Sequence, residues 1–255
     1  MYKNQVKQRL LRDEAVFGLF CNIPSPMVVE VLGYAGFDFV IIDAEHGIAD
    51  FETVENMIRA SEVSSIVPIT RIGLNLQQYI LRFLDAGSMG VQIPFINTKK
   101  EAEKVVTAVK YPPIGNRGLA STRASKFGLD STLSEYIKLA NQETLVVAQI
   151  ETIEALKNLN DILTVDNIDV VFFGPTDLSA SLGMPGEIDN PKVVNVIEQA
   201  GKKVREAGKS AGVLGIDAKS LLDWEAKGFR YLCTNASSLL TRSATKFIID
   251  INTSI

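Results

Sequence analysis

The chain has 255 residues, of which 46% are hydrophobic and 22% are charged, a balance that excludes a mainly disordered protein. Lysine and arginine number 26 against 30 aspartate and glutamate, so the formal net charge is −4 and the basic footprint of a nucleic-acid-binding protein is absent. No apolar run is long enough to span a bilayer, residues 1–14 contain no secretory apolar core, and two cysteines are too few for a disulfide framework. We therefore expect a cytoplasmic protein that binds neither nucleic acid nor membrane.

Short apolar runs rich in β-branched residues recur along the chain and predict eight strands. In chain order they span residues 15–20, 38–43, 65–71, 90–95, 144–151, 170–175, 211–216 and 231–235. The runs are nearly continuous rather than alternating, which is typical of strands that are buried on both faces of a parallel sheet.

Segments with helical period lie between most of these strands. They predict helices over residues 51–62, 76–86, 99–109, 153–163, 191–207 and 218–227. Asp50 is placed to cap the first of these, and Asn190 followed by Pro191 marks the start of another. Strands that alternate with helices along 255 residues favour a (β/α)₈ TIM barrel, with residues 1–255 in a single domain. A doubly wound open sheet is the alternative, although no GxGxxG follows the first strand.

The longest irregular stretch covers residues 110–130, where prolines and glycines interrupt regular structure. A long loop in a compact domain is often functional. Arg117 and Arg123 therefore either line a site and bind an anion, or belong to a solvated surface loop with scattered cations.

Ionisable residues follow several predicted strands, at the end where a barrel of this kind carries its chemistry. Strand five ends in Gln149 and Glu151, which share one face, and Asp177 lies just beyond strand six. Because neighbouring parallel strands end at one rim, we expect Glu151 and Asp177 side by side. Two carboxylates without a thiol or imidazole form an all-oxygen site that suits Mg²⁺ or Mn²⁺. The structural alternative is an ion pair, or a helix cap formed by Asp177.

His46 is the one histidine of the chain and follows strand two together with Asp43 and Glu45. Histidine exchanges protons near neutral pH, so His46 is the expected general base, and a core histidine is the alternative. Arg71 ends strand three, where a guanidinium that points inward binds a carboxylate or stabilises an enolate. Its alternative is a salt bridge to Glu45 or Asp43, which is compatible with a functional role.

Several other chemistries are disfavoured by residue counts. A single histidine excludes a zinc site with two or three histidine ligands, and a mixed site would need Cys21 and Cys233 to meet His46. Strands one and eight are neighbours in a closed barrel, so contact between the thiols is open, but reduced and inert cysteines are the default expectation. No lysine lies in or at the C-terminal end of any predicted strand, which argues against a Schiff-base aldolase.

Six segments together resemble the HpcH/HpaI aldolase family, in order and at that family's spacing, over about residues 16–245. The segments are DAEHG (43–47), PITR (68–71), LDAGSMGVQIP (84–94), YPPIGNRG (111–118), QIE (149–151) and GPTDLSASLG (174–183). The resemblance implies a (β/α)₈ barrel and a metal-dependent, class II pyruvate aldolase. Such an enzyme cleaves 4-hydroxy-2-oxo acids to pyruvate and an aldehyde through a metal-stabilised pyruvate enolate, in carbohydrate or aromatic catabolism.

The resemblance also implies which residues bind the metal and the pyruvate part. Glu151 and Asp177 match the ligands of the divalent metal, which is Mg²⁺ or Mn²⁺, with Co²⁺ as an alternative. Gln149 and the backbone of Thr176, together with Asp177, match the contacts to the substrate. Other members often carry alanine or asparagine at the position of Thr176, so this contact departs from the family pattern.

The catalytic roles are implied in the same way. Arg71 matches the residue that stabilises the enolate, and His46 matches the base, acting directly or through a metal-bound water. Asp85 of LDAG matches a carboxylate that raises the basicity of the histidine from a neighbouring subunit. The family forms homohexamers in which the last helix is exchanged between subunits, and residues 236–250 match that helix.

Two other functions remain open at the level of sequence. A CoA-ester lyase of the citryl or malyl type would use the same barrel, with Lys99, Lys100, Arg117 and Arg123 as a cationic cradle for the CoA phosphates. A non-catalytic barrel that binds an oxo acid is a more distant alternative, because fold alone does not fix function. The segments 19–26 and 213–217 do not identify the aldehyde.

Overall fold

The structure is a computed structural model and describes residues 3–253. Eight parallel strands form a closed barrel, in which each strand pairs with the next along the chain and the eighth pairs with the first. The strands are β1 (Val16–Cys21), β2 (Phe39–Asp43), β3 (Val67–Arg71), β4 (Gly90–Ile93), β5 (Leu145–Ile150), β6 (Val170–Phe173), β7 (Ser210–Leu214) and β8 (Tyr231–Asn235). The predicted (β/α)₈ barrel is confirmed, and the pairing of β8 with β1 excludes the open sheet.

Helices alternate with the strands along the chain. They are α1 (Gln5–Leu10), α2 (Pro26–Tyr34), α3 (Phe51–Ser64), α4 (Gln77–Ala86), α5 (Lys99–Val109), α6 (Leu133–Glu143), α7 (Ile153–Lys157), α8 (Leu159–Leu163), α9 (Pro175–Ser181), α10 (Pro191–Glu206), α11 (Ala218–Ala226) and α12 (Ala236–Thr253), with a 3₁₀ helix (Arg123–Gly128) before α6. Within residues 3–253, no helix has the length and apolar character needed to cross a membrane.

The predicted helices are present, and both predicted caps are confirmed. The Asp50 side chain accepts a hydrogen bond from the Thr53 N–H at 2.8 Å, and the Asn190 side chain accepts one from the Lys192 N–H at 3.0 Å. The segment predicted as one helix over 153–163 is divided at Asn158 into α7 and α8.

Four helices were not predicted from the sequence, namely α1, α2, α6 and α9. Of these, α1 and α9 have six and seven residues, which is too few turns for a clear helical period. The short α1 closes the N-terminal mouth of the barrel, because its Val6 and Leu10 pack into the cluster that fills the barrel interior. The interior is therefore sealed at that end, and the C-terminal rim carries the polar strand ends.

Strand side chains alternate between two cores. Phe39 belongs to the cluster inside the barrel, whereas its neighbour Val40 belongs to the cluster between the barrel and the helices. Inside the barrel, Gly18 pairs in register with Phe39, and a Cβ on Gly18 would lie 2.5 Å from the Phe39 ring. The missing side chain leaves room for the Phe39 ring to stack on Tyr231 at 4.3 Å. Two apolar faces explain why the strands look like continuous apolar runs in the sequence.

The two cysteines lie on opposite faces of the barrel wall. Cys21 belongs to the outer cluster and Cys233 to the inner one, and both are buried and free. Burial raises the pKa of both thiols. This separation excludes a contact between them and a zinc site shared with His46, whose side chain is 69% exposed.

The stretch 110–130 runs from α5 back towards β5 and therefore lies at the N-terminal end of the barrel. Arg117 donates to Asp85 at 2.8 Å, and Arg123 pairs with Glu62. Both arginines line a cavity of about 700 Å³, but their guanidinium groups are held by these carboxylates. The prediction that these two arginines lie in a solvated surface loop is therefore wrong. Neither arginine is free to bind an anion, because each guanidinium is paired with a carboxylate.

Candidate active site

Asp43, the last residue of β2, organises one side of the C-terminal rim. Its carboxylate accepts hydrogen bonds from the backbone N–H groups of Glu45 at 3.1 Å and His46 at 3.2 Å. It also accepts from Arg71 Nε at 2.9 Å and Nη2 at 2.6 Å, across the strand pair that sets Asp43 opposite Arg71. Because charge-assisted forked bonds are strong and directional, the loop after β2 and the guanidinium are fixed relative to each other.

Arg71 is further enclosed by two neighbours. Glu45 Oε2 lies 3.3 Å from its Nε, and its guanidinium carbon lies 4.5 Å from the centre of the Phe20 ring. The salt bridges predicted as the alternative for Arg71 are therefore both present. They engage Nε and Nη2 of the guanidinium rather than Nη1.

Glu151 follows β5 and is 1% exposed. Its Oε1 accepts a hydrogen bond from the Phe95 N–H at 2.9 Å, and its Oε2 accepts one from Gln149 Nε2 at 2.6 Å. Burial raises the pKa of Glu151 to about 7, and the charges of Asp177 and Glu45 act in the same direction, whereas the two hydrogen bonds oppose the shift. A nearby cation stabilises the ionised form of a buried carboxylate that lies near two other carboxylates.

Asp177 lies in the first turn of α9, and its charge adds to the raised pKa of Glu151. The N-cap of α9 is Gly174, which makes no side-chain cap bond, so the predicted cap role of Asp177 is wrong. A Cβ at Gly174 would lie 3.0 Å from Glu151 Oε2, so the glycine keeps space open beside that oxygen. Thr176 is exposed, and its carbonyl accepts from the Ser179 hydroxyl at 2.6 Å.

The donor set at this rim fits a hard divalent cation. Glu151 and Asp177 offer only oxygen atoms, and burial also raises the pKa of the nearby Glu45, with Asp177 adding to the shift. Among residues 3–253, no group of three or more histidine, cysteine, aspartate and glutamate side chains is close enough to hold a metal alone. The two carboxylates would therefore share a cation with water and substrate oxygens, as Mg²⁺ sites commonly do.

His46 and Asp85 lie at opposite ends of the barrel within one chain. The His46 side chain is exposed at the rim, where its Nε2 lies 4.0 Å from Glu45 Oε2. The alternative prediction, that His46 is a core residue, is therefore wrong. Asp85 is in the last turn of α4, next to β4's start, and is paired there with Arg117. A role for Asp85 beside a histidine therefore requires a second subunit.

Sequence reasoning missed two buried polar residues beneath the site. Gln92 Nε2 donates to Gln149 Oε1 at 2.6 Å, and the Tyr231 hydroxyl donates to Gln92 Oε1 at 3.4 Å. The available signal was a lone glutamine inside the apolar run 90–95. Gln149 itself is placed as predicted, on the same strand end as Glu151.

Comparison with known proteins gives the family. Residues 16–238 match the profile of the HpcH/HpaI aldolase/citrate lyase family. The chain belongs to this family. A pyruvate aldolase from Rhizobium etli is 39% identical over 215 residues, which cover 84% of each chain. A 2-keto-3-deoxy-L-rhamnonate aldolase from Klebsiella pneumoniae is 37% identical over 231 residues, which cover 89% of this chain and 85% of that one.

A crystal structure of an HpcH/HpaI family protein from Burkholderia cenocepacia superimposes with a TM-score of 0.92 at 29% identity, covering 98% of this chain and 100% of the other. The curated relatives are named as aldolases, which are carbon–carbon lyases. The predicted family, aldolase function and enzyme class are confirmed.

The cationic cradle expected of a CoA-ester lyase is not formed in this HpcH/HpaI barrel. Lys99 and Lys100 begin α5 at the C-terminal rim and are exposed. Arg117 and Arg123 lie at the other end and are held in ion pairs. The four cations therefore do not converge on one ligand, which removes the feature on which that alternative depended.

Proposed function

We propose that this family member is a divalent-metal-dependent aldolase that cleaves 4-hydroxy-2-oxo acids to pyruvate and an aldehyde. The observation that carries the proposal is that Glu151 is buried and that the charges of Asp177 and Glu45 act on it. Glu151 and Asp177 would hold the cation, which supplies a Lewis acid for the keto and carboxylate oxygens of the substrate.

The residues of the chain have distinct tasks in this reaction. His46 accepts the proton of the C4 hydroxyl, directly or through a water, and the C3–C4 bond breaks as the aldehyde carbonyl forms. The electron pair of that bond passes to C3 and C2, so negative charge develops on the C2 oxygen. Arg71 donates to this oxygen through Nη1, from an orientation that Asp43 fixes. Gln149 and the Thr176 backbone orient the oxo acid, and protonation at C3 yields pyruvate.

The test is pyruvate release from metal-stripped protein, followed with lactate dehydrogenase and NADH. The substrates are 4-hydroxy-2-oxoheptanedioate and 2-keto-3-deoxy-L-rhamnonate, each with and without Mg²⁺, Mn²⁺ or Co²⁺. Pyruvate that appears only with metal supports the proposal. If metal binds and no substrate yields pyruvate, the proposal is wrong. A mass-spectrometric search for CoA-thioester turnover would then separate a CoA-ester lyase from an oxo-acid-binding barrel.

We also propose that the enzyme is a homo-oligomer, a hexamer by family resemblance, in which α12 packs on a second copy of the chain. In α12 the Leu240 and Phe247 side chains are 62% and 66% exposed, and Ala236 is its buried residue. An apolar helix face left open to water favours association. The same assembly would give Asp85 a route to the His46 of a neighbouring copy.

We infer a cytoplasmic location for this enzyme. Cys21 and Cys233 are free, buried thiols, as is usual in a reducing compartment. Fractionation of the source cells, with an antibody against the protein, would check this inference.

A further inference from the structure

A chain of hydrogen bonds crosses the interior of the barrel and ends on Glu151. The Tyr231 hydroxyl of β8 donates to Gln92 Oε1 of β4 at 3.4 Å. Gln92 Nε2 donates to Gln149 Oε1 of β5 at 2.6 Å, and Gln149 Nε2 donates to Glu151 Oε2 at 2.6 Å. All four side chains are buried, so water does not compete for these bonds.

The two ends of this chain fix its direction. A carboxylate that binds a cation is ionised and only accepts hydrogen bonds, so with metal bound Gln149 must present its nitrogen to Glu151 and its oxygen to Gln92. Gln92 must then present its nitrogen to Gln149 and its oxygen to Tyr231. The Tyr231 hydroxyl serves as the terminal donor, and burial raises its pKa well above the usual value. Each amide therefore has one favoured orientation.

The reversed orientation of the Gln149 amide would be doubly unfavourable. Its oxygen would face Glu151 Oε2 across the 2.6 Å contact, and its nitrogen would face the donor nitrogen of Gln92. Two mismatched contacts in a buried network are costly, because no water can repair them. Without Gln92, only Glu151 would select the orientation, and the Gln149 oxygen would lose its donor.

We propose that Gln92, supported by Tyr231, is a positioning residue for the aldolase site. It holds the Gln149 amide so that one N–H supports Glu151 and the other is aimed at the bound oxo acid. Gln92 touches neither substrate nor metal and acts through Gln149. The inference rests on the proposed function of Gln149 and Glu151.

The direct test is Gln92→Met, which removes the donor and keeps an unbranched side chain of similar length in the core. We expect kcat to fall roughly 10- to 100-fold and the Kd for Mn²⁺ to rise, as is usual when a residue that supports a metal ligand is lost. Thr70→Val is the matched control. Thr70 is fully buried on β3, and its hydroxyl pairs with Ser88 at 3.0 Å, on the opposite face of the strand from Arg71. The control should lose a comparable hydrogen bond and show a similar decrease in Tm. Its kcat and its Kd for Mn²⁺ should stay within twofold of wild type.

A double-mutant cycle separates positioning from general destabilisation. If Gln92 acts through Gln149, Gln92→Met has no further effect on kcat or on the Kd for Mn²⁺ in a Gln149→Met background. Equal losses in both backgrounds would overturn the proposal, and so would Gln92→Met values within twofold of wild type. If Gln92→Met does not fold, Tyr231→Phe decides the question. It should raise the Kd for Mn²⁺ about threefold, since it removes the long hydrogen bond only.

The inference can fail separately from the proposed function. If wild-type protein releases no pyruvate from any oxo acid, the proposed function is wrong. Isothermal titration of Mn²⁺, and then of pyruvate into the Mn²⁺-loaded protein, still compares wild type with the Gln92 and Gln149 variants. A lower affinity in Gln92→Met that disappears in the double variant supports positioning without any turnover. Wild-type protein that does not bind Mn²⁺ would overturn both.

Discussion

The proton affinity of Glu151 makes the stability of the metal-free protein depend on pH. Its pKa is about 7 in the folded chain, compared with 4.5 for an ordinary glutamate, because it is buried. The folded state holds this proton more tightly, so the contribution of Glu151 to stability is present below pH 4.5 and is lost as the pH rises through 7. We therefore expect the Tm of metal-free wild type to fall more steeply from pH 5 to pH 8 than that of Glu151→Gln.

Thermal denaturation followed by circular dichroism at each pH measures this difference. Glu154→Gln is the control, because Glu154 is exposed on α7 three positions further along the chain. Its Tm should follow the wild-type curve. Parallel curves for wild type and Glu151→Gln would show that Glu151 does not carry the shift.

Arg71 depends on the forked geometry of its guanidinium. Lysine has one nitrogen and cannot hold both Asp43 oxygens while also reaching a substrate oxygen. We expect Arg71→Lys to lower kcat on the order of 100-fold, as loss of a donor to a developing oxyanion does. Arg59→Lys is the control, because Arg59 is exposed on α3 and its guanidinium pairs with Glu55 of the same helix. Unchanged kcat in Arg71→Lys would remove Arg71 from the mechanism.

At the scale of elements, the strands could be predicted because both faces of each one are buried, which leaves a continuous apolar run. The buried position of Gln92 in the site was not predicted for the same reason, since one polar residue in an apolar run does not change the strand prediction. The placement of Glu151 and Asp177 at one rim could be predicted from strand ends alone, because parallel strands share one rim. The ion pairs of Arg117 and Arg123 depend on contacts between distant segments, and residue spacing does not contain that information.

The loop after β2 has one position that accepts only glycine. A Cβ at Gly47 would lie 2.1 Å from the Asp43 carbonyl oxygen, so Gly47→Ala must displace the loop that carries His46. A displaced general base costs on the order of 100-fold in rate, which steady-state kinetics would measure. Gly118→Ala is the matched control, because its Cβ would lie 3.7 Å from the nearest Leu81 atom. If Gly47→Ala keeps wild-type kcat, the loop has no fixed role.

At the scale of the whole molecule, the proposed association of subunits depends on α12. Phe247 and Ile248 are 66% and 55% exposed in one chain. We expect the double variant Phe247→Ser, Ile248→Ser to give a smaller particle than wild type in size-exclusion chromatography with light scattering. Val63→Ser is the control, because Val63 is 66% exposed on α3, outside α12. A wild-type mass in the double variant would contradict an exchanged α12.

The closed N-terminal mouth leaves the site with one entrance. Val6 and Leu10 seal the lower opening, Glu151 and Gln149 lie deep and buried, and His46 stands exposed at the mouth. With the proposed roles of these residues, the part of the substrate that becomes pyruvate would lie below the part that becomes the aldehyde. We therefore expect the products to leave in a fixed order, with the aldehyde first and pyruvate last. Pyruvate should then inhibit cleavage competitively and the aldehyde noncompetitively, which product-inhibition kinetics would reveal.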